Sequence, residues 1–224
     1  KKQGEVISVP MDPIVAIDLL FDKPVATPSE ETILKTFEKY LGPMAKAEYD
    51  GTDATVVASQ YSESMTPGPV PFLLDIKGSR SIADLKLSRS SSIWRVTEIE
   101  EAVSKCRYYV SGVDMMGSLL SDYTVRAELL CHFMDALIAL FPESLAVVVR
   151  NSDKRFITSM LENFGDDDPK KCFIQYFLNI RNFRTPQEGR ICIDTLGMSI
   201  LGFPDVQFDF HTMDPDAVVS HALN

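Results

Sequence analysis

The residues from Ile14 to Phe21 form a short, nearly continuous apolar run that is rich in β-branched side chains. A run of this length without regular polar alternation is typical of a strand that other elements cover on both faces. Because 45% of the 224 residues are hydrophobic, the chain has enough apolar material to build such a core. The run therefore predicts the central strand of a sheet.

A capped amphipathic helix is predicted directly after this strand. Thr27, Pro28 and Glu30 have the spacing of a capping box with proline at the first helical position. Gly42 and Pro43 supply a left-handed cap and a stop. The predicted core stripe consists of Ile33, Leu34, Phe37, Tyr40 and Leu41.

A hairpin is predicted next, because residues 45–49 and 54–58 flank a turn-forming Asp50-Gly51 pair. From Met65 to Ser92 the periodicity breaks down among prolines, glycine, serines and arginines. This stretch predicts a long irregular connection, and long loops are common sites of binding.

The first half is predicted to end with a helix and a strand. Thr97 and Glu100 repeat the capping-box spacing before a short helix through Cys106. The strand Tyr108–Met115 follows. The resulting β-α-β-β-α-β order matches a ferredoxin-like unit with the 65–92 loop inserted before its second helix.

The second half is predicted to place a long helix on a mixed sheet. Its predicted elements are a helix from Asp122 to Leu140, a strand Leu145–Val149, a helix begun by Ser152 and ended by Gly165, an exit loop at 166–169, a hairpin of 173–183 with 190–194, a half-exposed strand Val206–Phe210 and a last helix capped by Asp214. Gly197 and Gly202 interrupt an apolar run and predict a bulge or a sharp bend.

The fold class expected from this order is α+β, with two packed α/β halves at 1–118 and 119–224. The alternative, one continuous domain, stays open because a domain typically has about 100–200 residues and two halves can share one sheet.

Charge narrows the partners that the chain would attract. Lys and Arg total 22 against 32 for Asp and Glu, which gives a net charge of -10. Nucleic acid and anionic membrane surfaces are therefore unexpected, and a basic protein partner is favoured. Four widely spaced cysteines without a zinc spacing predict reduced thiols and a cytoplasmic setting, and no apolar run approaches the length of a membrane span.

The sequence contains no recognised catalytic or metal-binding motif, so the expectation is a protein without a cofactor or catalytic residues. The three histidines do not lie at metal-ligand or triad spacings. Four residues within or beside predicted strands are candidates for lining a pocket between the halves if the chain binds a small molecule: Tyr108, Asp114, Arg181 and Asp194.

Several segments resemble a known family. The stretch 194–206, with its Thr-Leu-Gly-Met and Gly-Phe-Pro-Asp-Val elements, is the most distinctive, and Tyr108–Ser111, the helix after Asp122 and the strand 146–149 agree with it. Together they resemble an uncharacterised, mostly bacterial family of domains of unknown function, most clearly over the C-terminal half. The resemblance implies a fold and a bacterial cytosolic context, and no mechanism.

The leading hypothesis is a non-enzymatic interaction module, in its most concrete form an immunity or accessory protein that neutralises a basic partner. The alternative is a small-molecule-binding protein or enzyme with the pocket between the halves. A third hypothesis is a homo-oligomer that pairs through Val206–Phe210.

Overall fold

The computed structural model describes residues 10–42, 44–49, 53–58, 70–88, 95–115, 122–163, 168–184 and 190–211. Ten strands lie within these ranges: β1 Val15–Phe21, β2 Met44–Tyr49, β3 Asp53–Ala58, β4 Val70–Ser81, β5 Tyr108–Asp114, β6 Ala146–Val149, β7 Lys154–Ile157, β8 Asn179–Arg184, β9 Arg190–Leu196 and β10 Gln207–His211. Four α-helices accompany them: α1 Glu30–Leu41, α2 Val96–Lys105, α3 Tyr123–Leu140 and α4 Pro169–Phe177. The expected α+β class is confirmed.

The first seven strands form one sheet in the order β2-β3-β4-β5-β1-β6-β7, and each described neighbour pair is antiparallel. The predicted central position of the apolar run is confirmed, since β1 lies between β5 and β6. Strands from both sides of residue 118 share this sheet, and the division into two halves stays a prediction.

The first face of the large sheet carries the main core. Helices α1 and α3 pack there, and the ring of Phe133 on α3 stacks on Phe72 of β4 with centroids 4.3 Å apart. Gly112 of β5 lies beneath α3, where an added Cβ would come within 2.6 Å of a Leu137 methyl group. A residue without a side chain is therefore required for α3 to approach the sheet closely.

Among the described residues, those that pack on the second face cover only part of it. Helix α2 and a short 3-10 helix, Ile82–Leu85, pack over Leu20, Tyr109 and Val148. The rest of this face carries the polar residues described in the next section.

A smaller sheet, in the order β10-β9-β8, follows α4. Between β9 and β10, a 3-10 turn at Met198–Leu201 is flanked by Gly197 and Gly202, with φ values of 118° and 78°. The bend predicted from these glycines is confirmed. At Gly197 an added Cβ would lie 2.7 Å from Ser152, so the backbone also passes close to the loop between β6 and β7.

The predicted ferredoxin-like order of the first half is wrong in detail. Residues 70–81, placed in an irregular connection, form the twelve-residue strand β4, while 65–69 and 89–92 lie outside the described residues. Two partners stabilise β4, because β3 and β5 pair with it on either side. The order is therefore β-α-β-β-β-α-β, with β4 as the strand that the prediction lacked.

Four predictions for the second half are also wrong, including the hairpin strand expected from Phe173, because residues 173–177 belong to helix α4. The mixed sheet is antiparallel, and the helix expected after Ser152 is strand β7 followed by a 3-10 segment at Thr158–Asn163. Asp153 has a positive φ of 50° and turns the chain back on itself, so residues 154–157 pair with β6. This pairing outweighs the helical spacing of the apolar residues. Asp168 and Pro169, read as an exit loop, cap and begin α4. The last predicted helix, after Asp214, lies outside the described residues.

The predicted caps hold in part. Asp122 caps α3 as expected, accepting hydrogen bonds from the amides of Thr124 and Val125 at 2.7 and 3.3 Å. Helix α1 begins two residues later than predicted, because Ser29 and not Thr27 accepts from the Thr32 amide. Helix α2 starts after Arg95, whose backbone is in the left-handed region, and no side chain caps this helix.

Candidate functional site

A row of polar residues crosses the second face of the large sheet. In the strand register, Asp53 of β3 lies opposite Asp75 of β4, Asp75 opposite Ser111 of β5, and Ser111 opposite Asp18 of β1. Residues directly opposite each other have Cβ atoms about 5 Å apart, so this register forms one continuous polar row. The row faces away from α1 and α3, because the alternate residues of these strands pack against those helices.

Asp18 is the most buried carboxylate of the row, with no exposed surface. Arg150, at the end of β6, donates from Nε to Oδ2 and from Nη2 to Oδ1, both at 2.6 Å. The Ser111 hydroxyl donates to Asp18 at 2.6 Å and accepts from Arg150 at 3.0 Å. The three side chains therefore satisfy one another, and the charge of the buried carboxylate is compensated.

A second guanidinium group approaches the same row from β4. Arg80 lies opposite Tyr109 and forms an ion pair with Asp75. A hydrogen bond with Tyr109 is the main reason that the pKa of Arg80 is raised, and Asp75 raises it further. Arg150 lies on the other side of Tyr109, with its guanidinium carbon 6.0 Å from the ring centroid. Two half-exposed guanidinium groups thus flank one buried tyrosine.

This arrangement is suited to binding rather than to covalent catalysis. The proton of Ser111 is directed to Asp18, and Arg150 donates to the hydroxyl oxygen, which withdraws electron density from it. An activated serine needs a base that removes its proton during attack, as histidine does in a triad. Exposed guanidinium edges that are held by carboxylates of the sheet instead favour recognition of a carboxylate or phosphate anion.

The four residues predicted to line a pocket fall into separate places. Tyr108 and Asp114 begin and end β5, about 20 Å apart at the usual rise per residue of a strand. The structure brings Arg181 and Asp194 together as cross-strand neighbours of β8 and β9, with Arg181 Nε 2.9 Å from Asp194 Oδ1. It does not bring Tyr108 next to Asp114.

Asp114 belongs to a buried junction with a residue that the sequence did not single out. Its Oδ2 lies 3.4 Å from Nη1 of Arg126, and both side chains are fully buried. Arg126 also donates to the backbone oxygens of Ile200 at 2.7 Å and Asp12 at 2.9 Å. The junction ties α3 to the 3-10 turn and to the segment before β1. Only the placement of an arginine among apolar helix positions hinted at it.

A groove of about 330 Å³ lies between α2 and the β6–β7 side of the large sheet. Glu98, Glu101 and Lys105 of α2 lie on one side, and Ser144 and Ile157 lie on the other. Ser144 is hydrogen-bonded with Thr158 at 3.1 Å. The groove is small and open, and the row on the sheet face does not reach it.

Large apolar side chains are exposed in β10 of the small sheet and in the segment directly before it. Val206 and Phe208 retain 41% and 38% of their accessible surface. Nearby, Phe203 packs edge-to-face on Tyr123 at 5.0 Å, and both rings remain at least 36% exposed. Large apolar groups that cluster in solvent are typical of an interaction surface.

Other searches of the described ranges were negative. Within them, no three His, Cys, Asp or Glu side chains are grouped so that they would hold a metal ion. None of the helices there combines the length and apolarity of a membrane span. Comparisons with family models, curated proteins and solved structures gave no match to this chain. The family resemblance therefore stays a prediction.

Proposed function

We propose that this chain is a protein-interaction module that binds an extended, basic segment of a partner along β10. The observation that carries the proposal is the exposure of large apolar side chains at β10 and in the segment that leads into it: Phe203, with Tyr123 packed on its ring, Val206 and Phe208. We call these four residues the β10 surface.

The backbone of β10 supports strand addition as the binding mode. Within the described part of the chain, β10 pairs with β9 alone, at the end of the sheet order. An edge strand offers amide and carbonyl groups to an added strand, which supply affinity, while side chains at alternate positions supply specificity.

The side chains of β10 support a partner with apolar residues at alternate positions. Phe208 lies opposite Ile193 of β9, which is buried in a small cluster with Leu178 and Ile180. Val206 comes directly before β10, is hydrogen-bonded to Thr195 of β9 and keeps an exposed side chain. A partner strand with apolar residues on the face of Phe208 would extend the existing cluster outwards.

Charge supports a basic partner. The net charge is -10, and Asp205 and Asp209 are exposed beside the apolar positions. Lysine or arginine at the alternate positions of the partner would meet these carboxylates, and the overall field would speed association. This chemistry suits an immunity or accessory protein that neutralises a basic partner in the cytoplasm.

A matched pair of peptides tests the proposal. Binding of a fluorescent peptide with alternating valine and lysine is measured against one with alternating valine and glutamate. The lysine peptide is expected to bind, more weakly as salt rises, and the glutamate peptide is not. The proposal would be contradicted if both peptides bound equally well, or if neither peptide bound at millimolar concentration.

Two variants locate the site. Phe208→Asp is expected to weaken binding of the lysine peptide about tenfold or more, because it places a charge within the apolar contact. The control, Ala83→Asp, adds the same charge at an exposed residue of the Ile82–Leu85 helix, on the large sheet's second face. Unchanged binding in Phe208→Asp would place the contact elsewhere.

A second candidate function is binding of a small carboxylate or phosphate ligand, favoured by the two guanidinium groups that flank Tyr109. Its site lies on the sheet face, with Arg80 from the first predicted half and Arg150 from the second. Phosphate and acetate are titrated at constant ionic strength while the melting temperature is followed. Stabilisation that Arg150→Lys abolishes would support this function, and equal stabilisation of both proteins would reject it.

A further inference from the structure

Helices α3 and α4 face each other through two matched pairs of side chains. The Tyr176 hydroxyl of α4 donates to Asp135 Oδ1 of α3 at 2.8 Å. Cys131 precedes Asp135 by four residues, and Cys172 precedes Tyr176 by four. Residues four apart on a helix lie on the same face, one turn removed. The Tyr176–Asp135 contact and a hydrogen bond between the two thiols together place Cys131 and Cys172 opposite each other.

The surroundings of the two sulfurs agree with this placement. Cys131 is 3% exposed within the main core, and Cys172 packs against that core while remaining partly exposed. A hydrogen bond with Cys172 is the first cause that raises the pKa of the Cys131 thiol, and burial is the second. One thiol of the pair thus reaches solvent, and the other lies directly behind it.

We propose that Cys131 and Cys172 are an oxidation site, at which a peroxide converts the two thiols into a disulfide that joins α3 to α4. The proposal is independent of partner binding at the β10 surface. It assigns different roles to the two cysteines, because only Cys172 is open to an incoming oxidant.

The reaction has two balanced steps when hydrogen peroxide is the oxidant. The Cys172 thiolate attacks one peroxide oxygen, the O–O bond breaks, and Cys172 becomes a sulfenic acid while hydroxide leaves and takes up the thiol proton as water. Cys131 then attacks the sulfenic sulfur, loses its proton, and a second water leaves. Two thiols are oxidised and one peroxide is reduced.

The order of the steps follows from the electrostatics of the pair. A thiol must ionise to attack peroxide. Burial and the hydrogen bond raise the pKa of Cys131, so it is a poor first nucleophile but is well placed as the resolving thiol. Cys106 and Cys192 are buried elsewhere, beneath α2 and in β9, and do not share this arrangement.

The test treats the 224-residue chain with hydrogen peroxide, measures the mass of the intact protein, and then unfolds and alkylates it for peptide analysis by mass spectrometry. We expect a loss of about 2 Da, two of the four thiols protected from alkylation, and a Cys131–Cys172 cross-linked peptide. A cross-link through Cys106 or Cys192, or oxidation of Cys172 to a sulfinic acid without a cross-link, would overturn the proposal.

Single variants separate the roles of the two thiols. Cys131→Ser is expected to stop at the sulfenic acid of Cys172, which dimedone labels, whereas Cys172→Ser is expected to show no labelling at Cys131. Cys192→Ser is the matched control and should still form the cross-link. Labelling of Cys131 in Cys172→Ser would reject the assigned order. Since the wild-type cross-link is measured separately, a variant that fails to fold does not remove the test.

Discussion

Two arginine–aspartate pairs show how differently the two sheets of this protein use the same chemistry. Arg126 and Asp114 are fully buried beside the large sheet, with 3.4 Å between Nη1 and Oδ2. Arg181 and Asp194 join strands of the small sheet through two hydrogen bonds, and their side chains remain 30% and 14% exposed. The better-formed ion pair is thus the one that water reaches.

The difference lies in what else each arginine does. Arg126 donates to two backbone oxygens from distant parts of the chain, at Asp12 and Ile200. Arg181 extends across one hairpin to its neighbour. A buried charge needs every available partner because desolvation is costly, whereas an exposed pair is partly compensated by water. We therefore expect burial, and not the quality of the ion pair, to decide how much each arginine stabilises the fold.

The largest effect is expected for Arg126→Met. This change leaves the Asp114 carboxylate buried without its cation and removes the hydrogen bonds to Asp12 and Ile200. Loss of one partner of a buried pair typically costs about 3–5 kcal/mol of unfolding free energy. Urea unfolding followed by circular dichroism measures the change. Combining Arg126→Met with Asp114→Asn should recover part of the loss, and a double variant no more stable than Arg126→Met would contradict the explanation.

The sequence was sufficient for elements whose signals are local. The apolar run became β1, Asp122 capped α3, and the two glycines after β9 formed a bend. Each of these depends on residues within a few positions of one another. Helix caps and periodic apolar runs are defined by residues that are close together in the chain, so a single sequence is enough to predict the elements that they form.

The remainder of the fold depends on partners distant in the sequence. Strand β7 forms because β6 is beside it, and β4 because β3 and β5 accept it on both edges. The polar row of Asp53, Asp75, Ser111 and Asp18 requires a register across four strands, which composition and spacing do not contain. Of the predicted pocket residues, only Arg181 and Asp194 meet, because they alone share a hairpin.

Lys154 shows how burial changes the pKa of a cation and, through it, the stability of the fold. Its side chain is 6% exposed, and burial lowers its pKa to about 8. The unfolded chain, with the ordinary lysine pKa near 10.5, therefore binds more protons between about pH 8 and 10.5, so the stability of the wild type should rise with pH across this window.

Lys154→Met should remove this dependence. Below about pH 8 the variant is expected to be more stable than the wild type by roughly 3 kcal/mol, the equivalent of the pKa shift, with the gap closing towards pH 10.5. Urea unfolding of both proteins at intervals from pH 7 to 10.5 measures the difference between their unfolding free energies. The other titrating groups are the same in both proteins, so their contributions cancel in this difference. A gap that stays constant with pH would show that packing and not charge desolvation separates the two proteins.

The smallest effect is expected for Arg181→Met, which breaks the better-formed pair. Both partners reach solvent, so water can replace the lost contacts, and exposed pairs contribute about 0–1 kcal/mol. Unfolding free energies of Arg181→Met, Asp194→Asn and the double variant give the coupling between the side chains, for comparison with the Arg126–Asp114 cycle. A coupling for Arg181–Asp194 that equals or exceeds the buried one would reverse the argument, because hydrogen-bond geometry would then outweigh burial. If the coupling is small, sequence change at this pair costs the fold little, and the hairpin is free to vary in sequence beside the proposed β10 surface.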